Sequence, residues 1–145
     1  MNLFEPYEVS RESLNFEEAA GLLAKLRKQD ALAVIKTWTN SWATSQRFQG
    51  QKPSFCVFGC QDLPDSLSHY VQCPVLYYLQ NSLCSPVSAF PLVRLGLSSP
   101  ESKNLKMVAC TFYAYHYVRR ALEPTLAVRE IHEFFKDCFL GKLLS

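Results

Sequence analysis

The sequence predicts a mainly α fold: a small helical domain with a CCHC zinc knuckle inserted between helices. Three observations carry this. Apolar residues recur at three- and four-residue spacing along most of the chain. Alternating runs of the kind that make strands are weak. The segment CVFGCQDLPDSLSHYVQC, from Cys56 to Cys73, breaks the helical pattern with three of the six cysteines and one of the three histidines. The 145 residues read as one domain, 1–145, with the knuckle segment at 50–75 and a C-terminal helical pair at 100–145. A chain of this length buries roughly 68–70% of its unfolded surface, so it has a core without needing a metal.

Residues 1–13 read as an irregular lead-in. Asn15 followed by Glu18 is a capping-box pattern, and Ala19, Leu22, Leu23 and Leu26 continue it at helical spacing to an end near Arg27–Lys28, where basic residues suit a C-terminus. Asp30 is placed to cap a second helix with Leu32, Ile35, Trp38 and Trp42 on its apolar face. Lys52-Pro53 ends the region. Cys56 to Cys60 reads as a tight loop in which Gly59 is free to take left-handed angles. Asp62-Leu63-Pro64-Asp65 reads as a turn, with Asp65 as N-cap of a short helix SLSHYVQC. Pro74 stops that helix and suits the first position of the next, PVLYYLQNSL. After SSPE comes LKMVACTFYAYHYVRRAL, with Leu105, Val108, Phe112, Tyr115 and Leu122 on one side. Pro124 opens the last helix, with Val128, Ile131, Phe135 and Cys138 facing inward.

Hydrophobic residues make up 48% and charged residues 19%, a globular rather than disordered balance. No apolar run reaches the length of about 18 that a membrane span needs, and MNLFEPYEVSRES, with Glu5, Glu8 and Glu12, lacks the apolar core of a secretory leader. Six cysteines in such a context point to reduced thiols in an intracellular chain, nuclear or cytoplasmic. Cys84, Cys110 and Cys138, widely scattered, read as small buried hydrophobes. The net charge of +2 is far below that of a strongly basic nucleic-acid module. Its distribution is uneven: residues 31–61 hold Lys36, Arg47 and Lys52 and no acid, and residues 86–122 hold Arg94, Lys103, Lys106, Arg119 and Arg120 against Glu101 alone. Either segment reads as a solvated face or as a place to meet phosphates.

The spacing Cys-x3-Cys-x8-His-x3-Cys supplies four nitrogen or sulfur donors, the number a tetrahedral zinc site requires. A Cys-x3-Cys loop can present Cys56 and Cys60 to one ion. His69 and Cys73, four apart, share one helix face roughly 6 Å apart. Thiolates favour zinc over magnesium or calcium. Three cysteines and a histidine fill the tetrahedron, so a single structural Zn2+ is expected rather than a hydrolytic one. Two other readings stand beside this: a coincidence of buried thiols with a surface histidine, and a Cys nucleophile with His69 as base. Nothing nearby orients the imidazole for the second. His116 and His132 read as core-edge or surface histidines.

The stretches IKTWTNSWATSQRF, FCVFGC, DLPDSLSHY and QCP, within residues 31–80, together resemble the zinc-binding region downstream of the reverse transcriptase domain in non-LTR retrotransposon polyproteins. That pattern has a basic, tryptophan-bearing helix, an arginine on a short arm, a cysteine pair, a polar turn, a histidine and Cys-Pro. Its His-to-Cys gap is often one residue longer than here, and the reverse transcriptase core with its paired aspartates is absent. The resemblance therefore implies no enzyme. It implies a zinc-binding helical module, a fragment or remnant of a larger element-derived protein, that handles RNA or DNA.

On this reading Cys56, Cys60, His69 and Cys73 hold the metal, and Lys36, Arg47 and Lys52 contact phosphates. Phe48, Phe55, Phe58 or Tyr70 stack on bases if exposed, or pack beside the metal if not. The alternative is a zinc-stabilised structural or protein-interaction domain, with a partner bound through the C-terminal helices. Neither reading includes a membrane or a small-molecule substrate.

Overall fold

A computed structural model of the chain describes residues 16–42, 55–60, 63–84, 90–98, 101–121 and 126–145. The capping box at Asn15, the lead-in, the Lys52-Pro53 break, Leu122 and Pro124 lie outside them. Among the described residues the secondary structure is helical: α1 (Phe16–Leu23), α2 (Lys28–Trp38), α3 (Leu67–Tyr70), α4 (Pro74–Leu83), α5 (Pro91–Arg94), α6 (Ser102–Ala121) and α7 (Val128–Leu143). Among the same residues the one β-type pairing is an isolated antiparallel bridge between Phe55 and Pro64. None of these helices is long and apolar enough to cross a membrane.

The central element is α6. It packs most extensively against α7, next against α2, and more lightly against α1 and α5. Its buried residues include the unbroken run Val108–Phe112 as well as Leu105, Tyr115 and Val118. A single apolar stripe cannot produce five consecutive buried positions. Neighbours on several sides do, which makes α6 a core helix rather than the simple amphipathic one expected. From α7, Ile131, Phe135 and Phe139 complete the core. Val128 was expected inward; it is half-exposed at the helix start, with its methyls over Gly59.

The N-terminal pair departs from expectation in three ways. The first helix ends at Leu23, and the chain turns through Lys25 N–H to Leu22 O and Leu26 N–H to Leu23 O before α2 begins. Asp30 does not cap α2. It lies in the first turn, buried, with Oδ2 accepting from Lys106 of α6 at 2.8 Å and from Arg27 at 3.2 Å. That pairing rotates the buried face onto Asp30, Ala33, Val34 and Thr37, and leaves Leu32 and Ile35 50% and 43% exposed.

Trp42 is buried, but not on the helix. Asn40 adopts a left-handed conformation (φ 52°), with Ser41 N–H bonding Lys36 O at 2.8 Å and Asn40 N–H bonding Thr37 O at 3.2 Å. This Schellman ending reverses the chain. It carries Trp42 back so that its indole N–H donates to Thr37 Oγ1 at 2.9 Å and its ring lies against Phe112 and Tyr113. The Trp38 indole instead donates to Leu95 O at 2.8 Å, tying α2 to the turn after α5. Gly96 in that turn has φ 75°, and a Cβ there would sit 2.3 Å from a Leu105 methyl.

Candidate metal centre

Three local structures bring the donors together. The first is the loop Cys56–Cys60. Cys56 N–H donates to Leu63 O at 2.9 Å, closing the loop against the strand-like Leu63–Pro64, and Gly59 N–H donates to Cys56 O at 3.2 Å. The turn needs φ 97° at Gly59, a value strained for any side-chain-bearing residue. The second is α3, capped by Ser66, whose hydroxyl accepts from His69 N–H at 3.2 Å. The third is the start of α4, with Pro74 at the first position and Cys73 as N-cap, its sulfur accepting from Leu76 N–H at 3.5 Å. A helix N-terminus favours the thiolate form of such a cysteine.

His69 and Cys73 thus do not share one helix, as their spacing implied. The first helix stops at Tyr70, and Cys73 belongs to the second. The residue before proline is driven out of the helical region, and Cys73 has ψ 119°. The predicted juxtaposition survives by a different route, a helix–turn–helix junction.

One donor atom from each of Cys56, Cys60, His69 and Cys73 lies within 4.8 Å of every other. Cys56 Sγ is 3.8 Å and Cys60 Sγ 3.4 Å from Cys73 Sγ. A tetrahedron with metal–sulfur bonds of ~2.3 Å has sulfur–sulfur edges of about 3.8 Å, so the spacing fits one ion and excludes a disulfide; all six cysteines are free. His69 Nε2 is buried and has no hydrogen-bond partner. An unpartnered buried acceptor is costly, and coordination would remove that cost. These four residues could hold a metal ion.

The thiols are inequivalent. Hydrogen bonding from the Cys73 thiol and the backbone N–H groups of Cys60 and Phe58, with the His69 side chain adding to it, outweighs burial and lowers Cys56 to about 4. Burial pushes Cys60 up, and the hydrogen bond to Cys56, with burial, pushes Cys73 up.

The loop is anchored from beneath. Phe58 is buried and meets Tyr70 and Phe135 edge-on, with centroids 5.7 and 5.2 Å away. Its carbonyl accepts from His132 Nε2 of α7 at 2.9 Å. Because a carbonyl only accepts, the proton sits on Nε2. Asp65, expected as the α3 cap, has a different task. One carboxylate oxygen accepts from the Tyr70 and Tyr115 hydroxyls, the latter at 2.7 Å, and the other pairs with Arg119. Tyr70 Oη also accepts from Val57 N–H at 3.1 Å. Burial, more than the neighbouring carboxylate, raises both tyrosines and keeps them as donors. Asp65, Tyr70, Tyr115, Arg119 and His132 are thus supports that sequence reasoning missed. Only the four-residue spacing of Tyr115 and Arg119 hinted at a shared task.

Of the expected phosphate contacts, Lys36 lies near the C-terminus of α2 with its ammonium 5.1 Å from the centre of the Trp42 ring. Arg47 and Lys52 lie outside the described residues, as does Phe48. Of the aromatics offered for stacking, Phe58 and Tyr70 are core, whereas Phe55 is 64% exposed. Phe112 and Tyr115 are also core. No family model, curated protein or solved structure matches the chain.

Proposed function

We propose that this chain is a non-catalytic zinc-binding module in which Cys56, Cys60, His69 and Cys73 hold one structural Zn2+, and that it binds RNA or DNA as an accessory part of a retrotransposon-derived reverse transcriptase protein. The observation that carries the metal reading is the convergence of three sulfurs and one imidazole nitrogen within 4.8 Å. Soft thiolate donors with one imidazole select zinc among common ions. Four protein donors leave no open position for water, so the ion would fix structure rather than activate a nucleophile.

The nucleic-acid reading rests on the acid-free basic stretch at 31–61 and on the resemblance of residues 31–80 to the retrotransposon region. The alternative, a zinc-stabilised interaction domain, draws on the exposed Phe55 and Leu63 beside the loop. Burial of Phe112 and Tyr115 weighs against a partner bound through that face of the C-terminal pair.

Metal analysis of the purified protein beside a Cys56→Ser/Cys60→Ser variant tests the first link: about one zinc per chain is expected, lost in the variant. A fluorescence titration of the zinc-loaded protein with single-stranded RNA and duplex DNA tests the second. Salt-sensitive binding is expected; absence of binding to both would turn the reading to the interaction domain.

A further inference from the structure

The C-terminal half of α6 carries a cationic cluster separate from the metal donors. His116 and Arg120 are four residues apart and so share one face. The His116 ring lies 5.7 Å from the Trp42 ring, and the Lys36 ammonium of α2 lies 5.1 Å from the centre of the same ring. Lys36 and His116 therefore meet at the edge of the buried Trp42 ring, with Arg120 one turn beyond His116 on α6. Among the described residues, Asp30 pairs with Lys106 and Arg27, and Asp65 with Arg119. Among the described residues neither Lys36 nor Arg120 forms an ion pair.

Beside this cluster Tyr117 is 41% exposed, 6.0 Å from His116 and stacked on Tyr113 at 6.5 Å. Lys142 of α7 sits 4.2 Å from the centre of the Tyr113 ring. Cations without an ion pair among the described residues, beside an exposed, supported ring, match phosphates and a base face in one ligand. That is the chemistry of a single strand, where successive bases stack on aromatics while the backbone meets positive charge. A free phosphate would leave the ring unused, and a duplex would not offer it a base face.

We infer that Lys36, His116 and Arg120 contact the phosphates of a single-stranded nucleic acid, with Tyr117 stacking on a base. This deepens the nucleic-acid reading above and does not depend on the identity of the metal. Burial, then the charges of Arg120, Lys36 and Arg119, holds His116 below its ordinary value. A bound phosphate opposes those charges and draws a proton onto the ring. Binding therefore strengthens as pH falls through the lower end of the histidine range.

The test is fluorescence anisotropy with labelled oligo(U) and oligo(dT), across a salt series and at pH about 7.5 and about 6. Arg120→Glu, Lys36→Ala, His116→Gln and Tyr117→Ala are compared with the native chain, and circular dichroism shows that each is folded. Each lost phosphate contact should lower the salt slope by about 0.7. Tyr117→Ala should weaken binding roughly tenfold. His116→Gln should remove the gain at low pH; it retains the metal donors, so any acid loss of metal is common to both proteins. Native slopes in Arg120→Glu and Lys36→Ala, with the pH response intact in His116→Gln, would overturn this site while leaving nucleic-acid binding standing. Failure of the native protein to bind any strand would overturn both. Equal competition by polyglutamate, with no effect of Tyr117→Ala, would overturn the single-strand assignment.

Discussion

The knuckle and the α2–α6–α7 scaffold are stabilised by different physics. In the scaffold, Val34, Leu105, Val108, Phe112, Phe135 and Phe139 are apolar, buried and spread over three long helices. Removing any one leaves the rest in contact. In the knuckle the described residues between Phe55 and Cys73 form a four-residue helix and one isolated bridge. Its shape depends on a few directional interactions: four donor atoms, the Asp65 carboxylate, and the Phe58 ring and carbonyl. The contrast teaches that a region poor in regular structure can be tightly specified, but through few groups, each costly to lose.

The largest expected difference comes from metal removal. Structural zinc contributes about 10–16 kcal/mol in small finger peptides. Here chelation, or Cys56→Ser/Cys60→Ser, should abolish amide protection across 55–73 while most helical circular dichroism persists. Complete loss of the helical signal would break the comparison, because the scaffold would then depend on the knuckle. Asp65→Ala comes next. It leaves Arg119 and two buried hydroxyls without their acceptor, and breaking such a buried pair costs about 3–5 kcal/mol. Urea unfolding should show that loss; a change under about 1 kcal/mol would mean the carboxylate is dispensable.

Asp30 probes the scaffold side. Burial works against its charge, but Lys106 and Arg27 outweigh it and hold the carboxyl below its ordinary 3.8. A depressed carboxyl stabilises the fold fully above that value, and the gain disappears as pH falls through the lower folded value. Asp30→Asn should cost about 1–2 kcal/mol at neutral pH, and the gap between variant and native should close in acid. An undiminished gap in acid would show that packing, not charge, is responsible. The smallest effect is expected for His132→Phe, which removes the hydrogen bond to Phe58 O at a cost of about 1 kcal/mol. Hydrogen exchange should quicken at Phe58–Cys60 before it does in α7; uniform quickening would place His132 with the scaffold instead.

Much of this was legible where signals are local. α4 runs Pro74–Leu83 as read, because proline at the first turn and a cysteine cap mark its start. The donor quartet was legible because its members lie close in sequence. The α2 face was not: Leu32, Ile35, Trp38 and Trp42 fit helical spacing, but the left-handed Asn40 takes Trp42 off the helix, and Asp30 turns inward to meet a lysine far along the chain. The role of Asp65 was hidden for the same reason, since Tyr115 and Arg119 are remote in sequence and a local reading offers only a cap. The break between His69 and Cys73 was available in Pro74, whose effect on the preceding residue outweighs helical spacing.

The contacts from Phe58 to His132 and from Asp65 to Arg119 also impose an order in time. All four donors precede α6 and α7 in the chain, whereas Tyr115, Arg119, His132 and Phe135, which help seat their loop, follow. Long-range contacts form only after the intervening chain has been gathered in. During synthesis the thiols emerge first and await the C-terminal helices, so the finished geometry of this centre is a late event in folding, although its ligands are early in the sequence.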